Sequence, residues 1–167
     1  MSMQTPYRKP GKFSQIKLDP IITEGKYQEL TRTLERLKKT QPAAAAEVSR
    51  LAELGDFSEN AEYQLAKGKL RGINQRILVL ENQLRQAEVI SPKKQHDTVT
   101  VGSTVVVETQ NKTKTYQILG SSETDPKKGI ISHNSPLGEA LVGKRVGETI
   151  TIKIGTAEAS YTIRSIS

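Results

Sequence analysis

The sequence predicts an α+β protein, with an N-terminal antiparallel two-helix coiled coil followed by a small α+β domain. Three observations predict it. Apolar residues run in heptad steps on both sides of a polar bend near Phe57. After the stretch Ser91-Pro92-Lys93-Lys94-Gln95-His96-Asp97 the apolar period shifts to two. Ser135-Pro136 then opens one short helical turn between strand-like segments.

The helices come first in the chain. Going back from the bend, Gly55, Leu51, Val48, Ala44, Gln41, Leu37, Leu34, Leu30 and Tyr27 step by alternating threes and fours. Going forward, Glu59, Tyr63, Ala66, Leu70, Ile73, Ile77, Leu80, Leu84 and Ala87 do the same. Folding the chain at Phe57 sets Leu51 on Tyr63, Val48 on Ala66, Ala44 on Leu70, Leu37 on Ile77, Leu34 on Leu80 and Leu30 on Leu84. Two facing heptad seams of this kind predict a coiled-coil hairpin. Each arm would rise about 42 Å at about 1.5 Å per residue. Thr23 is a good N-cap for the first helix. Pro42 falls inside it, where it should remove a hydrogen bond and kink the helix or begin a new segment. Ala43 to Ala46 would restart it, through high helix propensity. The second helix is predicted from Ser58 to Glu88. Gly68 and Gly72 lie off its seam and each weakens it by up to about 1 kcal/mol relative to alanine.

The remaining elements follow from composition and period. Residues 1–20 read as a flexible basic tail, with Arg8, Lys9, Lys12 and Lys17 against Asp19. Residues 21–90 form the hairpin with its acidic tip, 91–99 the linker, and 100–167 the second domain. Strands are predicted at Ser103–Thr109, Lys114–Leu119, Ile130–His133, Thr149–Ile154 and Ser160–Ile166. A helix over Leu137–Val142 is capped by Ser135, with Pro136 at the first helical position, where its missing N–H costs nothing. A domain of about seventy residues is near the lower size for an independent core.

Composition narrows the function classes. The net charge of +7 favours an anionic partner, most often nucleic acid. Only 4% of residues are aromatic, which argues against a base-stacking platform. There is no cysteine, so no disulfide, thiolate metal site or cysteine nucleophile is available. No apolar run reaches the length of a membrane span, and the N-terminus lacks the apolar core of a secretory signal. The expectation is a cytoplasmic, soluble, monomeric protein.

Three groups of residues could carry function. Asp56 and Glu59 stand at the tip of the hairpin. Asp-x-x-Glu at a helix start is a capping-box variant, and acids there complement the helix dipole. The functional reading gives the two carboxylates to Mg²⁺ as oxygen ligands. Two are too few to hold the ion tightly, so they would act only when docked beside other acids, completing a two-metal site. The second group is Lys67, Lys69, Arg71 and Arg76 on the second helix. A solvated helix face is the common explanation for such a run; phosphate contact is the functional one. The two histidines, His96 and His133, have no acid or hydroxyl at a motif spacing and read as structural or solvated. No phosphate loop, dinucleotide fingerprint or nucleophile elbow is present.

The tip Gly55-Asp56-Phe57-Ser58-Glu59-Asn60-Ala61-Glu62-Tyr63 resembles the signature of the bacterial transcript cleavage factors GreA and GreB. Asn134-Ser135-Pro136-Leu137 followed by Leu141-Val142-Gly143-Lys144-Arg145-Val146-Gly147-Glu148 is similar to their C-terminal pattern, and Thr23-x-Gly25-x-x-x-Leu30 to their start. The resemblance implies an FKBP-like second domain that docks on bacterial RNA polymerase. It implies a coiled coil that enters the polymerase's secondary channel. There Asp56 and Glu59 would share a Mg²⁺ with the polymerase active site, so that the polymerase hydrolyses its own backtracked RNA and the arrested complex is rescued. The chain would be a cofactor of that cleavage, not an enzyme, and would hold no cofactor tightly by itself. By the same resemblance Asn134, Ser135 and Pro136 fall in the polymerase-docking turn. Lys67, Lys69, Arg71 and Arg76 fall on the basic patch that meets the nascent RNA 3′ end. Gln64 and the Lys67-x-Lys69-Leu70-Arg71-x-Ile73 pattern look more like GreB, while Glu62 and the Asn134-Ser135-Pro136 block look at least as much like GreA.

Two other readings compete. One is a polymerase-channel inhibitor of the same family, in which the tip is typically altered, whereas here the Asp56/Glu59 pair is kept. The other, of a different class, is an FKBP-like prolyl isomerase or chaperone. The C-terminal half has Tyr116 and Tyr161 but no Trp or Phe, which argues against an aromatic-lined proline pocket.

Overall fold

The computed structural model describes residues 18–54, 61–91 and 97–167. The first part is a pair of long helices, α1 (Glu24–Ala52) and α2 (Ala61–Gln86). They run antiparallel: Lys38 pairs with Glu81 across the interface at 2.6 Å, and Gln41, further along α1, donates to Asn74, further back on α2. Leu30, Leu51, Ile77 and Leu80 are the buried seam positions, and Tyr27, Leu34, Leu37, Leu84 and Ala87 pack against the cluster that holds Leu30 and Leu80. Two helices alone have no centre, so most of the seam is only half-buried.

Thr23 caps α1 as its sequence predicts, its hydroxyl accepting from the Lys26 N–H at 3.2 Å. Pro42 does not begin a new segment: α1 continues through it as one 29-residue helix. The proline is exposed, so its ring meets solvent and not the partner helix, and the alanines after it resume the helix without a gap. The second helix ends at Gln86, two residues before the expected Glu88. Residues Glu88–Ile90 leave it to form β2, which pairs in parallel with β1 (Ile21–Thr23). Neither three-residue strand was legible in the sequence. They close the open end of the hairpin and bury Ile22 against Leu30 and Leu80.

The second part is a five-stranded sheet with one short helix. Its elements are β3 (Thr104–Thr109), β4 (Lys112–Leu119), β5 (Ile130–Ser132), α3 (Pro136–Leu141), β6 (Thr149–Ile154) and β7 (Ala157–Ile166). The spatial order is β5-β4-β3-β7-β6, antiparallel except for the β4–β5 pair. The helix pair followed by this sheet is an α+β fold. Strand β4 begins two residues earlier than expected, because Gln110 and Asn111 both take positive φ in a two-residue hairpin turn. Strand β7 begins three residues early, because Gly155-Thr156 turns β6 straight into it, with Gly155 at φ 64°.

Alternate residues of these strands form the core. Val105, Val107, Ile118, Ile150, Ile152, Tyr161 and Ile163 face inward, with Leu141 of α3 and Val99, as the two-residue period of a half-buried strand requires. Val99, at the end of the stretch read as linker, is fully buried there, and its backbone bonds Lys144 and Gly143. No helix among the described residues is long and apolar enough to cross a membrane.

Candidate functional site

Three places bear the residues that sequence reasoning singled out, and the fold separates them. Asp56 and Glu59 lie outside the described residues. Their flanks are described: α1 ends at Ala52 over the buried Leu51, Leu54 is exposed, and α2 begins at Ala61. In the sequence the two acids fall between these helix ends. His96 also lies outside the described residues.

Lys67, Lys69, Arg71 and Arg76 are all exposed on α2. At about 100° per residue they divide into two flanks. Lys67 and Arg71 lie one turn apart on one side, and the Lys67 ammonium sits 5.9 Å from the centre of the Tyr63 ring. Lys69 and Arg76 lie on the other side, next to α1. There Lys69 lines a groove with Arg36 and Lys39, floored by the small side chains of Ala43, Ala44 and Ala66. Arg36 and Lys39 widen this basic flank and were missed by a reading that followed one helix at a time. Glu47 stands in the same groove, bonded to Arg50 at 2.7 and 2.9 Å. That bond, and the nearby Lys69, hold its carboxyl below the usual range. Gly68 and Gly72 face open space: a methyl group at either would touch nothing within 4 Å.

The third place is the turn between β5 and α3. Asn134 and Pro136 are exposed, and Ser135 is half-buried. The Ser135 hydroxyl accepts from the Gly138 N–H at 3.1 Å and donates to the Ser132 carbonyl at 2.7 Å. The Asn134 N–H donates to the Ser132 hydroxyl at 3.1 Å. These bonds hold the turn in one shape, and a surface preset in this way binds a partner at a lower ordering cost than a loose one.

The structure adds a residue that composition assigned to the tail. Asp19 has a side chain only 5% exposed, and His133 Nε2 donates to it at 2.9 Å. The Ser121 N–H and hydroxyl donate to the same oxygen at 2.8 and 2.9 Å, and the Asn134 amide at 3.4 Å. The other oxygen accepts from the Ile21 N–H at 3.1 Å. Burial pushes the Asp19 carboxyl up, but the Ser121 and Ile21 N–H groups, the Ser121 hydroxyl and His133 outweigh it. The net pKa lies below the ordinary 3.8, so the carboxylate is charged at neutral pH. His133 is thus structural, as expected, but its partner lies 114 residues away, beyond the reach of any spacing rule.

Comparison with known proteins places this arrangement. Residues 20–89 match the family model "Transcription elongation factor, N-terminal", and residues 94–167 match "Transcription elongation factor, GreA/GreB, C-term". The transcription elongation factor GreA of Nautilia profundicola is 42% identical over 153 residues, covering 89% of this chain and 93% of the relative. The GreA of Nitratiruptor sp. is 38% identical over 149 residues, covering 87% and 91%. Among solved structures, the GreA factor homolog 1 (Gfh1) of Thermus thermophilus is 25% identical over 87% of this chain and 97% of its own, with a TM-score of 0.41. With two family models covering both halves of the chain and relatives at about 40% identity along most of it, the chain belongs to the GreA/GreB family of transcription elongation factors.

Proposed function

We propose that this chain is a transcript cleavage factor, which lends its coiled-coil tip to the active site of bacterial RNA polymerase. The observation that carries the reading is a narrow antiparallel two-helix arm joined to a sheet domain, with Asp56 and Glu59 in the stretch of sequence that links its two helices. In this reading the arm enters the polymerase's secondary channel, and the turn at Asn134, Ser135 and Pro136 docks on the rim. Asp56 and Glu59 offer the hard carboxylate oxygens that Mg²⁺ prefers, but only as part of a set completed by the polymerase. Bound there, Mg²⁺ would activate a water toward the phosphodiester of backtracked RNA. The chain has no cleavage activity of its own, works as a monomer, and acts where the polymerase is, in the cytoplasm.

The test uses halted, backtracked elongation complexes built with purified polymerase. Adding the chain should release short RNA fragments from the 3′ end and restore elongation, while the chain alone should leave free RNA intact. No gain in fragment release over polymerase alone would sink the reading.

The basic flanks give a further expected result. Lys67, Lys69, Arg71 and Arg76, replaced together by Gln, should slow cleavage while sparing binding to core polymerase. Glutamine has helix propensity close to that of Lys and Arg, so the hairpin should survive. Phosphate contacts release counterions, so the parent's cleavage rate should fall as KCl rises. The variant should show a shallower slope. Superimposable salt curves would reduce the four cations to a solvated helix face.

A further inference from the structure

The arm meets the sheet domain through two carboxylates set on either side of one close backbone contact. Asp19, just ahead of β1, binds Ser121 and His133 of the sheet domain. It lies one residue before the part of the chain that matches the N-terminal family model. Glu123 reaches the other way, from the sheet domain to the arm. Its carboxylate accepts from the Thr23 N–H at 2.7 Å and from the Thr23 hydroxyl at 2.6 Å. Thr23 is the cap residue of α1, so Glu123 holds the helix by its N-cap. A carboxylate there also complements the positive end of the helix dipole. Between the two, Gly120 lies against the arm so closely that a Cβ on it would fall 1.9 Å from the Ile21 carbonyl oxygen.

The same network reaches the docking turn. Ser121, held by Asp19, shares a 2.9 Å hydroxyl contact with Ser132, and the Ser132 hydroxyl accepts from the Asn134 N–H. The Asn134 amide itself donates to Asp19. One chain of bonds therefore runs from the turn that would grip the polymerase to the first residues of the arm.

We propose that Asp19 and Glu123 are positioning residues, a two-carboxylate latch that fixes the direction of the coiled coil relative to the docking turn and so aims its tip. The inference rests on the function proposed above, and lever geometry explains why a latch is needed. An arm of 29 residues is about 44 Å long. Freedom of about 10° at its base would sweep the tip through about 8 Å. Mg²⁺ demands near-ideal octahedral geometry at about 2.0–2.1 Å, so an arm that loose would seldom present its acids in register.

The absence of cysteine makes the test direct, because two introduced cysteines take spin labels at defined sites. Ser49→Cys near the tip and Lys112→Cys on the β3–β4 hairpin are both exposed. Pulsed electron–electron distances would be compared among four proteins on this background: the parent, Glu123→Ala, Asp19→Ala/Glu123→Ala, and Glu123→Gln. Glutamine can accept from the Thr23 N–H and donate to its hydroxyl, so it should keep the parent's narrow distribution. The double alanine variant should broaden by several ångströms, and Glu123→Ala by less. Near-parent thermal unfolding of the sheet domain is the folding control, and Glu123→Ala alone serves if the double variant fails it.

Cleavage at saturating factor should fall about 10²-fold in the double variant, the scale of a misplaced reacting group, and Glu123→Gln should stay within a few-fold of the parent. A double-variant distribution that superimposes on the parent's overturns the latch, whatever cleavage does. Broadened distances with an unchanged maximal rate overturn its positioning role. A parent that stimulates no cleavage defeats the functional reading instead, and the distances still judge the latch.

Discussion

Asp56→Asn combined with Glu59→Gln is expected to abolish stimulated transcript cleavage while leaving polymerase binding close to the parent's. The two roles open to these acids respond differently to this change. Asparagine caps a helix about as well as aspartate, and glutamine can take the reciprocal place in a capping box. A purely structural tip would therefore survive. A metal-directed tip would not, because each substitution removes the negative charge and one of the two equivalent oxygens that a hard cation needs. Removing a single group that stabilises developing charge costs about 10²–10³ in rate, and two are removed here. The measurement is fragment release from backtracked complexes at saturating factor, with competition for core polymerase as the binding control. Cleavage equal to the parent's would assign Asp56 and Glu59 to capping alone.

The parts of this protein legible in its sequence are those set by local period. The two arms of the coiled coil could be read, from Tyr27 to Leu51 and from Tyr63 to Leu84, because a seam repeated over so many turns leaves one face to bury. Strand β6 could be read to the residue, because Ile150 and Ile152 alternate inward against exposed neighbours. The cap at Ser135 followed from residue chemistry. What stayed hidden is what joins the parts. β1 and β2 are three residues each, too short to show a period, and pair only because the hairpin brings Ile21 and Glu88 together. The Asp19–Ser121 and Thr23–Glu123 bonds span 102 and 100 residues. Aspartate in a basic, proline-containing stretch gives no local sign that it will be buried. Of the candidate residues, Lys67, Lys69, Arg71 and Arg76 could be placed on one exposed helix from sequence, but Arg36 and Lys39 joined Lys69 only once both helices were seen side by side.

Two alanine substitutions at glycines should have opposite signs, and the larger is Gly138→Ala. Propensity alone favours alanine in a helix by about 1 kcal/mol. That expectation should hold at Gly68, where an added methyl group meets nothing within 4 Å, so Gly68→Ala should stabilise the arm modestly. At Gly138, in α3, the same methyl group would lie 2.0 Å from the Ser132 carbonyl oxygen, 3.0 Å from its carbon and 3.1 Å from His133 Cα. These are backbone atoms and cannot turn aside as a long side chain would. The carbonyl is also held in place, since it accepts from the Ser135 N–H at 3.0 Å and its hydroxyl at 2.7 Å. Helix α3 cannot simply retreat, because Leu141 at its end is fully buried in the core. Overpacking of this kind costs about 1–3 kcal/mol, occasionally more, which exceeds the gain in propensity. For a domain of this size about 1 kcal/mol moves Tm by about 4–8 °C, so the loss should be on the order of 10 °C. The displaced turn carries Asn134 and Pro136, so the factor concentration needed for half-maximal cleavage should rise, while the rate at saturation changes little. A Gly138→Ala protein that melts at or above the parent's temperature would show that α3 has room the backbone contacts deny, and the preset shape of the docking turn would lose its structural basis.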